Sequence, residues 1–386
     1  MNILLRGACD SGNLGDPVIC DCVASWLRSH FPMTRLTVRD VYHRPSRKTV
    51  DEPPMAVLRE LAAKLWIIRI ATTAGVDLTC HFEQRRVVSG LEFIETTCAG
   101  DYDAVVFAGG QMFMDRYALY LEAHVQRFRQ KNIPIFFNAC GTGPAFSPKI
   151  AKRLKQTLTD PCVKYASCRD DVKLVNRRYG PCRETFDPAL TAASVYNVRR
   201  KENADTIGLG VIFNVAVSEK KQTRFWQKLV RELDRRGQKW QFFTNGDPAD
   251  MAYAREILAS LPEYRGREAA LLHSRDTEPK ALLETIAGFQ SIISFRLHSH
   301  ILAASLDVPS VAMVWDEKLP TFFKKIGHPE RCFRVDSDPT AVLDALVRAE
   351  REGYDRELLE NQAKAAEDQL IRAMTEAIPG LTEDRL

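Results

Sequence analysis

Short apolar runs alternate along most of this chain with longer stretches in which apolar residues recur at helical spacing. In the first half the runs are NILLR (2–6), RLTVRD (35–40), AVVFAG (104–109), IPIFFNA (133–139) and VKYASC (163–168), with helical stretches such as RYALYLEAHVQRFRQK (116–131) between them. That alternation predicts an α/β fold whose strands form a parallel sheet covered by helices on both faces. The polar run YNVRRKENAD (196–205) reads as a linker. The pattern then restarts with TIGLGVIFN (206–214), a helix through FWQKLVRELDRRG (225–237), WQFFTN (240–245), SIISF (291–295) and SVAMVW (310–315). The expectation is two doubly wound Rossmann-like domains with a cleft between them, over residues 1–200 and 201–340, and a helical tail over 341–386. Residues 44–100 contain no convincing early strand. They read as an insertion in the first domain that either shapes an acceptor or partner site or simply covers the structure.

At 386 residues the chain exceeds what one core usually fills, in keeping with two domains. Its 45% hydrophobic and 27% charged residues are ordinary for a soluble globular protein. A formal net charge of +4 is too small to point to nucleic acid, and it fits an anionic ligand or an acidic membrane surface only weakly. The opening residues do not read as a signal peptide, because the apolar stretch is short and runs straight into Gly7 and Asp10. The most membrane-like segment is LAAKLWIIRIATTAG (61–75), interrupted by Lys64 and Arg69 and shorter than the roughly 18 apolar residues of a span. It reads as a core helix, with an interfacial helix as the other reading. Ten scattered cysteines without a CxxC pair point to reduced thiols and a cytoplasmic protein, and no spacing suggests a metal site.

Open parallel sheets bind ligands beyond the carboxyl ends of their strands, so polar residues just after strands are the candidates. The opening loop carries Gly12, Asn13, Gly15 and Asp16 between a strand and a helix, yet it fits neither G-x-G-x-x-G nor a P-loop. Asp16 before Pro17 reads as an N-cap and a helix start, whose free N–H groups suit an anion. A tight turn that needs its glycines for backbone reasons alone is the other reading. Gly109 and Gly110 in AVVFAGGQMFMD (104–115), and Gly141 and Gly143 in FNACGTGPAF (137–146), follow two further strands. The most specific segment is SIISFRLHSHILAASLDVPSVAMVWDEK (291–318), a compact βαβ unit with Arg296 and His298 at a strand end. Arginine holds a carboxylate or phosphate through paired hydrogen bonds, and histidine titrates near neutral pH. The plainer readings are that Arg296 bridges an acidic neighbour and His298 caps its helix, with Ser299 and His300 as helix-turn residues. Lys318 is either a third positive charge or a solvated surface lysine. Arg169 is a second candidate clamp, and Asp187 reads as structural, ending a strand near the domain junction. Together these residues suit a small, multiply anionic substrate.

GNLGD (12–16), AGGQMFMD (108–115), GTGP (141–144), Arg169-Asp170, DPA (187–189) and RLHSHILAAS (296–305) stand in the order found in the polysaccharide pyruvyl transferase family, which the chain resembles over about residues 3–325. The resemblance implies a glycosyltransferase-B-like architecture and transfer of the pyruvyl group of phosphoenolpyruvate onto sugar hydroxyls, releasing phosphate and forming a cyclic ketal. It implies that Arg296, Leu297 and His298 bind phosphoenolpyruvate with Arg169 as partner, that Lys318 matches a family lysine, and that no cofactor is needed beyond the donor. The implied acceptor is an exopolysaccharide, capsule or cell-wall precursor; if it is lipid-linked, the protein makes peripheral contact with the inner face of the membrane. For acid–base work His298 is the first choice, its unperturbed pKa lying near the operating pH, and Asp16 the second. The chain departs from the family pattern at Ala108, often glycine, and at Trp315, often tyrosine, which bears on the acceptor more than the donor. The nearest rival is a nucleotide-sugar-dependent glycosyltransferase of the same architecture, for which Glu317 is the nearby ribose-binding candidate. A non-catalytic carbohydrate-binding scaffold is the third reading.

Overall fold

The computed structural model describes residues 1–41, 52–143, 145–213 and 218–382. Parts of the expectations that fall on residues 44–51, Pro144, Asn214 and the last four residues of the tail lie outside that set. Among the described residues the strands form two parallel sheets. The first holds β1 (Asn2–Gly7), β2 (Arg35–Asp40), β3 (Ala104–Phe107), β4 (Gly110–Phe113), β5 (Ile135–Thr142), β6 (Val163–Cys168) and β7 (Arg183–Glu184). Its order is β2-β1-β3-β5-β6-β7, with β4 pairing β5 beyond the end of β3. The second holds β8 (Thr206–Gly210), β9 (Lys239–Phe243), β10 (Ser291–Ser294), β11 (Ser310–Val314) and β12 (Cys332–Arg334), in the order β12-β11-β10-β8-β9.

Every apolar run singled out in the sequence forms a strand of the expected sheet. β3 and β5 are buried along their whole length because helices cover both faces, which is why they read as continuous rather than alternating runs. The strands not foreseen, β4, β7 and β12, have four, two and three residues, too few to register as a period. β4 exists because Gly109 and Gly110 take positive φ values of 97° and 90°, folding the chain after β3 onto the flank of β5.

Helix α1 (Gly15–His30) starts two residues earlier than Asp16-Pro17 suggested, and Leu14 occupies the cap position without a side-chain bond. Asp16 therefore caps nothing; its carboxylate accepts from the Ser11 hydroxyl at 3.0 Å. Pro17 falls in the first turn, where its missing N–H would have had no intrahelical partner.

The insertion folds as α2 (Met55–Thr73), α3 (Leu78–Ser89) and α4 (Leu91–Ala99), the last two lying against α5 (Asp115–Gln130). The core reading of residues 61–75 is overturned. Leu61, Leu65, Trp66, Ile67 and Ile70 are 45–62% exposed, because α2 leans chiefly on α3 and on the helix Pro248–Ala259, and among the described residues no further layer covers it. Arg59 near its start pairs with Glu219 and Glu256 of the second sheet's helices. Among the described residues no helix is long and apolar enough to cross a membrane.

The tail forms the helices Pro339–Glu352 and Arg356–Ala377. The second returns to the first sheet, packing near β5 and β6, with His30 bonded to Glu367 at 2.9 Å and Tyr165 to Gln369 at 3.3 Å.

Candidate functional site

The carboxyl ends of the two sheets face each other, and a cavity of about 180 Å³ lies between them. From the first sheet it is lined by Asn13 and Asp16 after β1, Gly109 and Gly110 after β3, and Arg169 after β6. From the second come Arg296, Leu297 and His298 after β10, and Trp315 and Lys318 after β11. Gly12, Gly15, Gly141 and Gly143 do not line it. At three of them a side chain would collide: a Cβ on Gly15 would stand 2.1 Å from the His298 ring, one on Gly141 2.9 Å from the Asp170 carboxylate and one on Gly143 2.7 Å from the Gln111 amide, whereas one on Gly12 would make ordinary contact with Pro248 at 3.5 Å. The loop is joined to the opposite domain by the Leu14 N–H, which donates to the Asn245 carbonyl at 2.8 Å.

Both arginines are anchored by buried aspartates. Arg169 donates to Asp187, which also accepts from the Ala189 N–H at 2.9 Å. Asp187 is thus both the cap of a short helical turn and the counter-charge of the clamp, a second role that sequence reasoning missed. Arg296 reaches Asp250 through Nε at 2.7 Å and Nη2 at 2.5 Å, with Asp247 at 3.5 Å, and its Nη1 has no partner among the described residues. So the bridge to an acidic neighbour and the place in the cavity wall both hold for Arg296. Burial works against the charge on each arginine, but the surrounding carboxylates, Asp187 for Arg169 and Asp250 for Arg296, outweigh it and hold both above the ordinary value.

His298 lies on the seam. Its Nε2 is 3.3 Å from Arg169 Nη1 and 3.7 Å from Asp187, and since arginine can only donate, Nε2 is the acceptor and the ring proton belongs on Nδ1. Burial, then the charges of Arg169, Lys318 and Arg296, push its pKa well below the usual 6.5. Burial and these cations thus favour the neutral ring, against the expectation of a histidine poised near neutral pH. Nor does His298 cap its helix, since Arg296 holds the cap position. Lys318 is no free surface lysine; it pairs with Asp316 at 3.0 Å and stands 5.4 Å from the centre of the Trp315 ring. Ser299 and His300 are internal ties, to Asn245 at 2.7 Å and the Ser294 carbonyl at 2.9 Å.

Asp247 and Asp250 were not foreseen. They follow β9 (Lys239–Phe243), and their place as polar residues past a strand end is the sequence signal that marks them. Asp250 is fully buried, and burial pushes its pKa up to about 7 despite Arg296. Glu317, the candidate for a ribose contact, is exposed and lies outside the cavity wall.

Two Rossmann-like domains facing each other across a cleft make this a glycosyltransferase-B-like protein. The UDP-GlcNAc 2-epimerase of Methanocaldococcus jannaschii superposes with a TM-score of 0.58 at 10% identity, over 97% of this chain and 99% of that one. The Neisseria meningitidis enzyme of the same name, bound to UDP-GlcNAc, gives 0.55 at 11%, over 97% and 100%. At such identities the likeness is one of fold alone. The profile of the polysaccharide pyruvyl transferases matches residues 13–317, and the chain belongs to that family. No curated protein gives a significant match.

Proposed function

We propose that the protein transfers the pyruvyl group of phosphoenolpyruvate onto a saccharide on the cytoplasmic side of the membrane, forming a ketal. The observation that carries this reading is the convergence of Arg169, Arg296 and Lys318 on one cavity of about 180 Å³. Phosphoenolpyruvate presents a carboxylate and a phosphate within a few atoms, which needs just such a compact set of cations. A nucleotide sugar needs more room, pockets for ligands of that class being roughly 300 Å³ and up, and the exposed Glu317 offers its ribose no partner.

In the mechanism we favour, the substrate itself prepares the acid. His298 is neutral while three cations surround it. A multiply charged anion bound among them reverses the local field and raises the pKa of the ring. The imidazolium then protonates the methylene carbon of the donor, leaving a cationic centre at C2. A first sugar hydroxyl attacks C2 as Asp16 takes its proton. A second hydroxyl displaces phosphate and returns its proton to His298, and the proton on Asp16 leaves with the phosphate. One proton enters the new methyl group, two leave the hydroxyls, and one departs with phosphate, so the cycle closes.

The test is the thermal midpoint of the purified protein with phosphoenolpyruvate, UDP and a UDP-sugar in turn. A ligand of the native state raises the midpoint with its saturation. A rise with phosphoenolpyruvate alone is expected; a rise with UDP alone would overturn the reading in favour of glycosyl transfer. Calorimetric titration in buffers of different ionisation enthalpy should also reveal proton uptake on donor binding, absent in His298→Asn.

A further inference from the structure

Among the described residues, nine of the twelve exposed large apolar side chains fall between Val57 and Val88, on α2, α3 and the turn joining them. Leu61, Leu65, Trp66, Ile67 and Ile70 stand out from α2 and Phe82 from α3. A soluble monomer rarely leaves so much apolar surface in one place. The charges around it are mostly basic. Lys64, Arg69 and Arg85 are exposed within the hairpin; of its acidic residues, the exposed Glu60 pairs with Lys64, Asp77 bonds Ser147 and the Cys80 N–H, and Glu83 pairs with Arg86, which leaves Arg69 and Arg85 in excess. The neighbouring helix α6 (Pro148–Leu158) carries Lys149, Lys152, Arg153 and Lys155 and no acidic residue. It is close enough for Lys149 and Arg153 to act on the Cys80 thiol.

We infer that the α2–α3 hairpin is a docking surface for a bilayer rich in anionic lipid. Apolar side chains enter the interface while lysines and arginines meet the headgroups, and a tryptophan at the margin is suited to that depth. A second copy of this chain is the less fitting occupant, because a two-fold contact sets each basic patch against itself. The hairpin also adjoins the cavity. Arg116 and Tyr117 line the cavity from α5, and the charge of Arg116 acts on Glu83 of α3. A bilayer seated on the hairpin would hold a lipid-anchored saccharide beside the reacting centre, which is the one point that rests on the proposed transferase reading.

Sedimentation of the full-length protein with phosphatidylcholine vesicles, with and without phosphatidylglycerol, tests the surface without any substrate. Binding to the anionic vesicles alone is expected. The double substitution Leu65→Glu, Trp66→Glu should weaken partitioning roughly tenfold or more, since it removes two apolar anchors and adds repulsion. Its thermal midpoint should not move, both positions being exposed. Emission from Trp66 should be quenched by brominated lipid, a signal lost in Trp66→Phe although that variant still sediments. No sedimentation, or equal sedimentation of the double variant, would overturn the inference. So would a concentration-dependent dimer that the double substitution abolishes, which would give the surface to a second copy. None of these outcomes depends on phosphoenolpyruvate.

Discussion

The two arginine clamps look alike and are built differently. Arg169 and Asp187 are sealed, each side chain 5% exposed, and His298 closes over them. The Arg296 side chain is 18% exposed, shares its charge between Asp250 and Asp247, and keeps one nitrogen free. Arg169 spends Nη1 on Asp187 and leaves Nε buried without a partner, whereas Arg296 spends Nε and Nη2 on its carboxylates and leaves Nη1 unbonded at a more exposed position. On the proposed reading both would meet the donor, Arg296 as the more open contact and Arg169 as the one that also sets the field and the tautomer of His298.

The largest expected effect breaks the sealed pair. Arg169→Met should lose about 3–5 kcal/mol of stability, the usual result of leaving one buried ion without its partner. Arg296→Met should lose clearly less at mildly acidic pH, because Asp250 can take up a proton there; equal losses in denaturant titrations would erase the contrast. Next, Arg296→Lys keeps the charge but not the fork. The missing charge-assisted bond is worth about 2–3 kcal/mol, or roughly 30- to 160-fold in kcat/KM, while the same change at Arg169 should act mainly on folding. Gly15→Ala should push the His298 ring aside, at about 1–3 kcal/mol, and its activity loss should exceed its stability loss; normal turnover would remove His298 from the chemistry. The smallest effect is a slope. Asp250 titrates at about 7 when folded, above an ordinary carboxyl, so the stability it lends is complete at low pH and is lost as pH rises toward 7. Asp250→Asn should flatten that part of the stability profile. His298, lowered by folding, contributes in the opposite sense, losing stability as pH falls through 6.5.

The strands were legible because parallel β-structure buried on both faces leaves unbroken apolar runs, and the rule that ligands sit past strand ends then led to Arg169, Arg296, His298 and Lys318. What lay beyond the sequence were relations between distant residues. Nothing local to Arg296 shows that its counter-ion is Asp250, forty-six positions away, or that Gly15 is small in order to admit a histidine ring from the other domain. Helical apolar spacing in residues 61–75 was equally silent about whether anything covers the helix. The protonation of His298 follows the same logic, since its neighbours are brought in by the fold.

The returning last helix has a mechanical consequence. The chain passes between the domains once through residues 196–205 and again near Asp355, so each half is held to the other at two separate points. Any opening of the cleft must therefore bend the chain at both crossings together and release the ties across the seam, the Leu14–Asn245 and Arg169–His298 contacts among them. Two distance labels, one on each rim, would report whether it opens at all.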